Sequence, residues 1–263
     1  MNTKTLLNDH SSHFRLDDLT REERTALESD LSLAARMQHV RLPHRTFNVP
    51  GWQSHFRYLP AGFVGGDYCD LFELKKGLLF LIGDVSGKGL GASVLTSHLH
   101  ATFRGLADAG LEIQPMAKAA NRVFCESTLA EHFATLIVGC AAHDGSVEFV
   151  NAGHMPLLHI CTDAVRAETA TGFPLGMFPD ARFPSRHIFL DPGDSLLMYT
   201  DGMTEARNAA DEEYGVDRLK LIAARHRTSG RHLLDEYLED MRVFSGGTKR
   251  ADDVALLSIL RHP

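Results

Sequence analysis

YCDLFELKKGLLFLIGDVSGKGLG, residues 68–91, is the stretch whose reading decides the fold. Tyr68 to Leu74 and Leu78 to Val85 are apolar runs of strand length, and Lys75-Lys76-Gly77 between them is a hairpin turn. The second run closes on Gly83-Asp84, and Val85-Ser86-Gly87-Lys88-Gly89 then leads into a helical stretch from Leu90 to Leu106. A carboxylate at a strand end is held rigidly by the sheet, and a neighbouring glycine lets backbone or ligand come close.

The same texture extends in both directions. Phe56 to Leu59 reads as an earlier strand, and Pro115 to Phe124 as a second helix. Strands follow at Phe133 to Ala141, Val147 to Asn151 and Pro156 to Ile160, with Asp144-Gly145 as the turn between the first two. Arg186 to Leu190, Ser195 to Thr200 and Val254 to Leu260 are further strands, and helices around Gly215 to Arg225 and His232 to Phe244 separate the last two. Strand clusters joined by hairpin turns and alternating with pairs of helices predict an α+β class, sheet packed on sheet with helices outside.

Residues 1–16 read as a loose polar tail. Thr20-Arg-Glu-Glu23 is a capping box opening a helix, whose stripe of Leu27, Leu31 and Ala34 continues toward Met37 and stops at Pro43. This divides the chain into an N-terminal tail and helix, 1–30, and a main domain, 31–263. The stripe spans about two heptads, too few for a lone coiled coil, so it docks on its own domain or meets a partner.

Acids recur at strand ends beside glycine. Gly65-Gly66-Asp67 precedes one strand, Asp84 ends another, Tyr199-Thr-Asp201-Gly202 ends a third, and Ala251-Asp252-Asp253 opens the last. Any one alone reads as a turn, as Asp144-Gly145 does. Four gathered carboxylates would repel one another, and the usual remedy is a hard cation with oxygen ligands. The loop after Asp84 fails as a P-loop: Gly83 and Gly87 have three residues between them, not four, and Gly89 replaces the hydroxyl residue. Cys125 lacks the Cys-x5-Arg cradle of cysteine phosphatases, since the sixth residue after it is Glu131. His98 and His100 would diverge on a helix, His154 reads as ordering a turn, Asp70 as a structural carboxylate and Trp52 as core.

A net charge of -7 argues against a nucleic-acid partner, which needs a basic face. Four cysteines without a C-x-x-C pair argue against a disulfide framework and suit a reducing compartment. The N-terminus has no signal-peptide core, and the longest apolar run, Leu78 to Ile82, is far short of the ~20 residues of a membrane span, so a cytoplasmic protein is expected.

The landmarks Ala35-Arg-Met-Gln38, Leu42-Pro43, Gly65-Gly-Asp-Tyr68, Gly83-Asp-Val-Ser-Gly-Lys-Gly89, Asn151-Ala-Gly-His154, Phe173-Pro-Leu-Gly176, Tyr199-Thr-Asp-Gly202 and Asp252-Asp-Val254 occur in that order. In them the chain, from about Leu33 to Leu260, resembles the SpoIIE-type branch of the protein phosphatase 2C-like (PPM) metal-dependent phosphatases. The resemblance implies an α-β-β-α sandwich, two mainly antiparallel sheets face to face, with two divalent cations, Mn2+ or Mg2+, at one edge. It implies that Asp84 bridges both cations, that Asp67 and the Val85 carbonyl serve the second, and that Asp201 and Asp252 hold the first, with adjacent Asp253 the alternative to Asp252. It further implies hydrolysis of phosphoserine or phosphothreonine by a metal-activated water, on a STAS-domain antagonist of an anti-sigma factor in a partner-switching pathway. An activator or a second copy would meet the N-terminal helix; no nucleic acid or membrane is involved. Two positions depart from the pattern: Ala255 stands where threonine is usual and Cys69 where an aromatic is frequent. The rival readings are a catalytically silent binding module of the same fold and a phosphohydrolase for small esters.

Overall fold

A computed structural model describes residues 19–225 and 230–262, with side chains described outside 230–232. The expected tail over residues 1–16 lies outside the described residues. Helix α1, Arg21–Arg41, opens on the capping box: Thr20 Oγ1 accepts from the Glu23 N–H at 3.2 Å, and Glu23 Oε2 accepts from the Thr20 N–H at 2.8 Å. The helix ends before Pro43 and runs unbroken across residues 30 and 31, so the division drawn there does not fall at an element end. Leu27, Leu31 and Ala34 are half-buried, but the stripe continues to buried Gln38 and not to Met37, which is 63% exposed. At about 100° per residue, Gln38 falls within about 20° of Leu27 around the helix and Met37 about 80° away.

The chain continues through β1 (Thr46–Val49), β2 (Trp52–Leu59), β3 (Asp67–Leu74) and β4 (Gly77–Val85) to α2 (Gly89–Asp108) and α3 (Ile113–Ser127). Then come β5 (Ala134–Ala142), β6 (Ser146–Ala152), β7 (Leu157–Ile160), β8 (Val165–Glu168), β9 (Arg186–Phe189) and β10 (Ser195–Tyr199). The short α4 (Asp201–Thr204), α5 (Val216–Arg225), α6 (Gly230–Ser245) and β11 (Val254–Arg261) complete it. One sheet has the order β1-β2-β11-β10-β7-β8 and the other β3-β4-β5-β6-β9. Each pairing between these strands is antiparallel.

Three apolar layers make this an α-β-β-α sandwich. Leu78, Phe80 and Ile82 of β4 pack between the sheets with Phe149, Met198 and Leu257. Leu79 and Leu81, pointing the other way, pack under α2 and α3 with Leu99, Phe103 and Phe124. Leu197 and Tyr199 of β10 pack under α5 and α6 with Leu219, Leu234 and Tyr237. A strand covered on both faces needs apolar residues at successive positions, which is why β4 reads as a continuous run without alternation. Trp52 is fully buried, and its Nε1–H donates to the Ala142 carbonyl at 3.0 Å.

The elements that the sequence reading left out are β1, β8 and α4. β1 and β8 are four-residue edge strands with little buried surface, and α4 begins on the Asp201-Gly202 dipeptide that reads as a turn.

Candidate active site

Both sheets deliver acids to one end of the sandwich. Asp67 at the head of β3 lies directly opposite Asp84 near the end of β4 in their shared ladder. Asp201 follows β10, and Asp252-Asp253 leads into β11, the neighbour of β10 in the other sheet. Thr200 couples the sheets: its Oγ1–H donates to Asp67 Oδ2 at 2.8 Å, and the same oxygen accepts from the Ala255 N–H at 2.9 Å.

The adjacent acids Asp252 and Asp253 have different surroundings. Asp253 is buried, its Oδ1 accepting from the Ala61 N–H at 2.7 Å and its Oδ2 from the Gly66 N–H at 2.8 Å. Asp252 is half-exposed; its Oδ1 accepts from the Asp253 N–H, and its Oδ2 lies 2.7 Å from Lys88 Nζ. The loop before Asp67 is gripped again from α1, where buried Gln38 donates to the Gly65 carbonyl at 2.8 Å and accepts the Gly65 N–H at 3.1 Å. Only glycine fits at 65: a Cβ there would stand 2.0 Å from Asp253 Oδ2. A Cβ at Gly66 would stand 2.9 Å from both Asp84 Oδ1 and the Val85 carbonyl oxygen, so those two oxygens face a common space.

Burial, then the charges of Asp201, Asp252 and Asp253, pushes the Asp84 carboxyl up to about 7. Burial and Asp84 hold Asp67 well above the usual carboxylate range, although the Thr200 hydroxyl favours its ionised form. Burial and Asp252 raise Asp201. Lys88 contacts this group at Asp252, and its Nζ also donates to the Ala251 carbonyl. Crowded carboxylates with a backbone carbonyl beside them form an all-oxygen donor set, the chemistry that suits a hard divalent cation. An open cleft of about 650 Å³ lies beside Asp252 and Asp253, lined also by Leu31, Phe63, Lys88, Leu90 and Arg250.

The remaining residues singled out from the sequence lie elsewhere. Asp70, three residues along β3 and so on the opposite face from Asp67, accepts from Arg104 at 2.5 and 2.8 Å and lies 3.2 Å from His100 Nδ1. His98 turns to Ser127, away from His100. His154 is buried, which pushes it down to about 4 and keeps it neutral; its N–H is held by Asn151 Oδ1, and its Nδ1 lies 2.8 Å from Thr135 Oγ1, in the turn it was expected to order. Ser86 exchanges hydrogen bonds with the Phe133 backbone. Cys69 and Ala255 pack between the sheets.

The sequence reading gave no role to Gln38, Thr200 or Tyr58. Gln38 and Thr200 stand inside quoted landmarks, so a signal existed for both. Tyr58 had none; its buried hydroxyl would be 2.3 Å from a Cβ at Gly65.

Two antiparallel sheets face to face, helices outside and acids of both sheets at one end define the PP2C-type phosphatase fold. The SiaA-PP2C domain of Pseudomonas aeruginosa superimposes with a TM-score of 0.80 over 91% of this chain and 98% of that one, at 17% identity. The chain belongs to the family described as Stage II sporulation protein E (SpoIIE), which matches residues 75–262. It is 30% identical to the structure of the RsbU and RsbW domains of Rv1364c from Mycobacterium tuberculosis, with a TM-score of 0.70 over 81% of this chain and 61% of that one. It is also similar to the phosphoserine phosphatase RsbU of Bacillus subtilis (strain 168), 23% identical over 82% of this chain and 65% of that protein. Protein IcfG of Synechocystis sp. (strain ATCC 27184 / PCC 6803 / Kazusa) is 25% identical over 89% of this chain. The chain spans 42% of the length of IcfG and 65% of that of RsbU. Among the described residues, no helix is long and apolar enough to cross a membrane.

Proposed function

We propose that this chain is a metal-dependent protein serine/threonine phosphatase that hydrolyses phosphoserine or phosphothreonine on a STAS-domain protein in a partner-switching pathway. One observation carries the reading: Asp67 and Asp84 from one sheet meet Asp201 and Asp252 from the other, and burial and mutual repulsion raise the first three. Asp84 would be shared by the two cations, with Asp67 and the Val85 carbonyl holding one and Asp201 and Asp252 the other. Asp252 is preferred to Asp253 because both oxygens of Asp253 already accept backbone N–H groups. When bound, a pair of Mn2+ or Mg2+ ions supplies a water acidic enough to attack phosphorus near neutral pH and offsets charge on the phosphate oxygens.

The chain's own groups then orient and select. Thr200 fixes the Asp67 carboxylate, and the Asp253 and Gln38 contacts fix the loop that carries it. Lys88 and Arg250 edge the cleft with positive charge where a phosphate would enter. Ser86 is tied to backbone, in keeping with direct attack by water and no phosphoenzyme.

The RsbU and RsbW domains found together in the Mycobacterium tuberculosis relative support the partner-switching setting. Leu33, Met37 and Val40 on the outward face of α1 support a contact there with an activator or a second copy. The test is competition. A serine-phosphorylated STAS-domain protein should be dephosphorylated and should inhibit p-nitrophenyl phosphate turnover. Turnover of small esters and nucleotides that the phosphoprotein fails to inhibit would contradict the protein substrate.

A further inference from the structure

A second cluster of metal-binding side chains lies at the opposite end of β10. His159 stands on β7, Cys161 just after it and Asp194 just before β10. Ser195 pairs with Ile160 and Leu196 with His159, so one further step of the ladder sets Asp194 opposite Cys161. All three side chains therefore share one face of the sheet, the face on which Leu157 and Leu196 enter the layer between the sheets. Each of the three is buried.

His159 Nε2 lies 3.3 Å from Asp194 Oδ2 and 3.3 Å from Cys161 Sγ, and the three atoms are all within 4.8 Å of one another. An ordinary N–H···O bond would sit near 2.9 Å, so the contact between His159 and Asp194 is long for one. Ligands of a tetrahedral zinc ion, with bonds of about 2.0 to 2.3 Å, are separated by about 3.3 Å for nitrogen and oxygen and about 3.6 Å for nitrogen and sulfur, so the first spacing matches and the second lies within a small adjustment. The surrounding backbone holds the donors in place. The Asp191 N–H donates to Asp194 Oδ2 at 3.1 Å, the Asp194 N–H returns to the Asp191 carbonyl, and the Cys161 N–H closes its turn on Ala164 at 2.8 Å.

We propose that His159, Cys161 and Asp194 form a zinc site, with water in the fourth position, separate from the acid cluster at the other end of the sandwich. Asp194 and Asp201 flank β10, seven residue steps apart, roughly 23 Å at about 3.3 Å per step. A thiolate and an imidazole select zinc, whereas the all-oxygen cluster selects Mg2+ or Mn2+. On binding, the S–H bond of Cys161 breaks, sulfur keeps the electron pair to bond zinc, and the proton goes to solvent; His159 carries its own proton on Nδ1.

Cobalt titration of the whole chain in excess Mg2+ tests this. The expected result is a near-ultraviolet thiolate charge-transfer band that saturates at one cobalt per chain, is abolished by one zinc, and is absent from Cys161→Ser. Cys125→Ser, which alters a half-buried thiol on α3, should leave the band unchanged. If Cys161→Ser does not fold, His159→Gln keeps the thiol and should weaken cobalt binding at least tenfold. A wild type with no thiolate band, or a band unaltered in Cys161→Ser or His159→Gln, would overturn the proposal.

Discussion

Asp252 and Asp253 are chemically identical neighbours, and their partners separate them. Asp253 spends both oxygens on the Ala61 and Gly66 N–H groups, while Asp252 presents an oxygen to the cleft beside Lys88. An unsatisfied buried donor costs about 1–3 kcal/mol, so Asp253→Ala should destabilise the fold by about 2–5 kcal/mol in urea. Asp252→Asn should leave the unfolding midpoint nearly unchanged and weaken Mn2+ binding. Equal effects of the two substitutions on stability would contradict this division. The sequence shows both acids beside a strand start but contains nothing about the loop 190 residues away that one of them holds; only the folded chain brings Ala61 and Gly66 to Asp253. The acids themselves were legible because a strand-end Asp beside Gly is a local pattern. The Cys161 cluster was not, because it joins residues 159 and 161 to 194 across a ladder.

At the scale of elements, α1 grips the loop before Asp67 through the side chain of Gln38. Gln38 donates to and accepts from the Gly65 backbone two residues before Asp67, and is buried in doing so. Gln38→Ala should cost about 1–3 kcal/mol by leaving the Gly65 groups unpaired. Because the loop it frees carries Asp67, the Mn2+ concentration needed for half-maximal turnover should also rise. Stability lost with no change in metal dependence would show that α1 braces the domain without steering the site. The helix start was legible from its capping box, and the long central strands from apolar runs that fill two layers at once. The edge strands β1 and β8 were not, since four residues with little burial leave no pattern. Met37 was misplaced on the docking stripe for want of the angular drift that brings Gln38 inward instead.

Across the whole molecule, each sheet contributes acids that repel those of the other. Folding without metal raises Asp84 to about 7 and lifts Asp67 and Asp201 above the usual carboxylate range. The folded chain therefore binds more protons than the unfolded one from about pH 4 to 7, and this contribution to stability is lost as pH rises through about 7. Buried neutral His154 works in the opposite direction, present at neutral pH and lost as pH falls through about 4, so a paired variant isolates the acids. In metal-free protein, Asp84→Asn should raise Tm at pH 8 and leave it nearly unchanged at pH 4. Added Mn2+ should raise the wild-type Tm at pH 8 more than that of the variant. The same substitution provides the most direct test of the central claim, that these acids assemble a metal-dependent phosphatase centre. Hydrolysis of p-nitrophenyl phosphate should require Mn2+ or Mg2+, stop on chelation, and vanish in folded Asp84→Asn; turnover that survives either chelator or the substitution would contradict it.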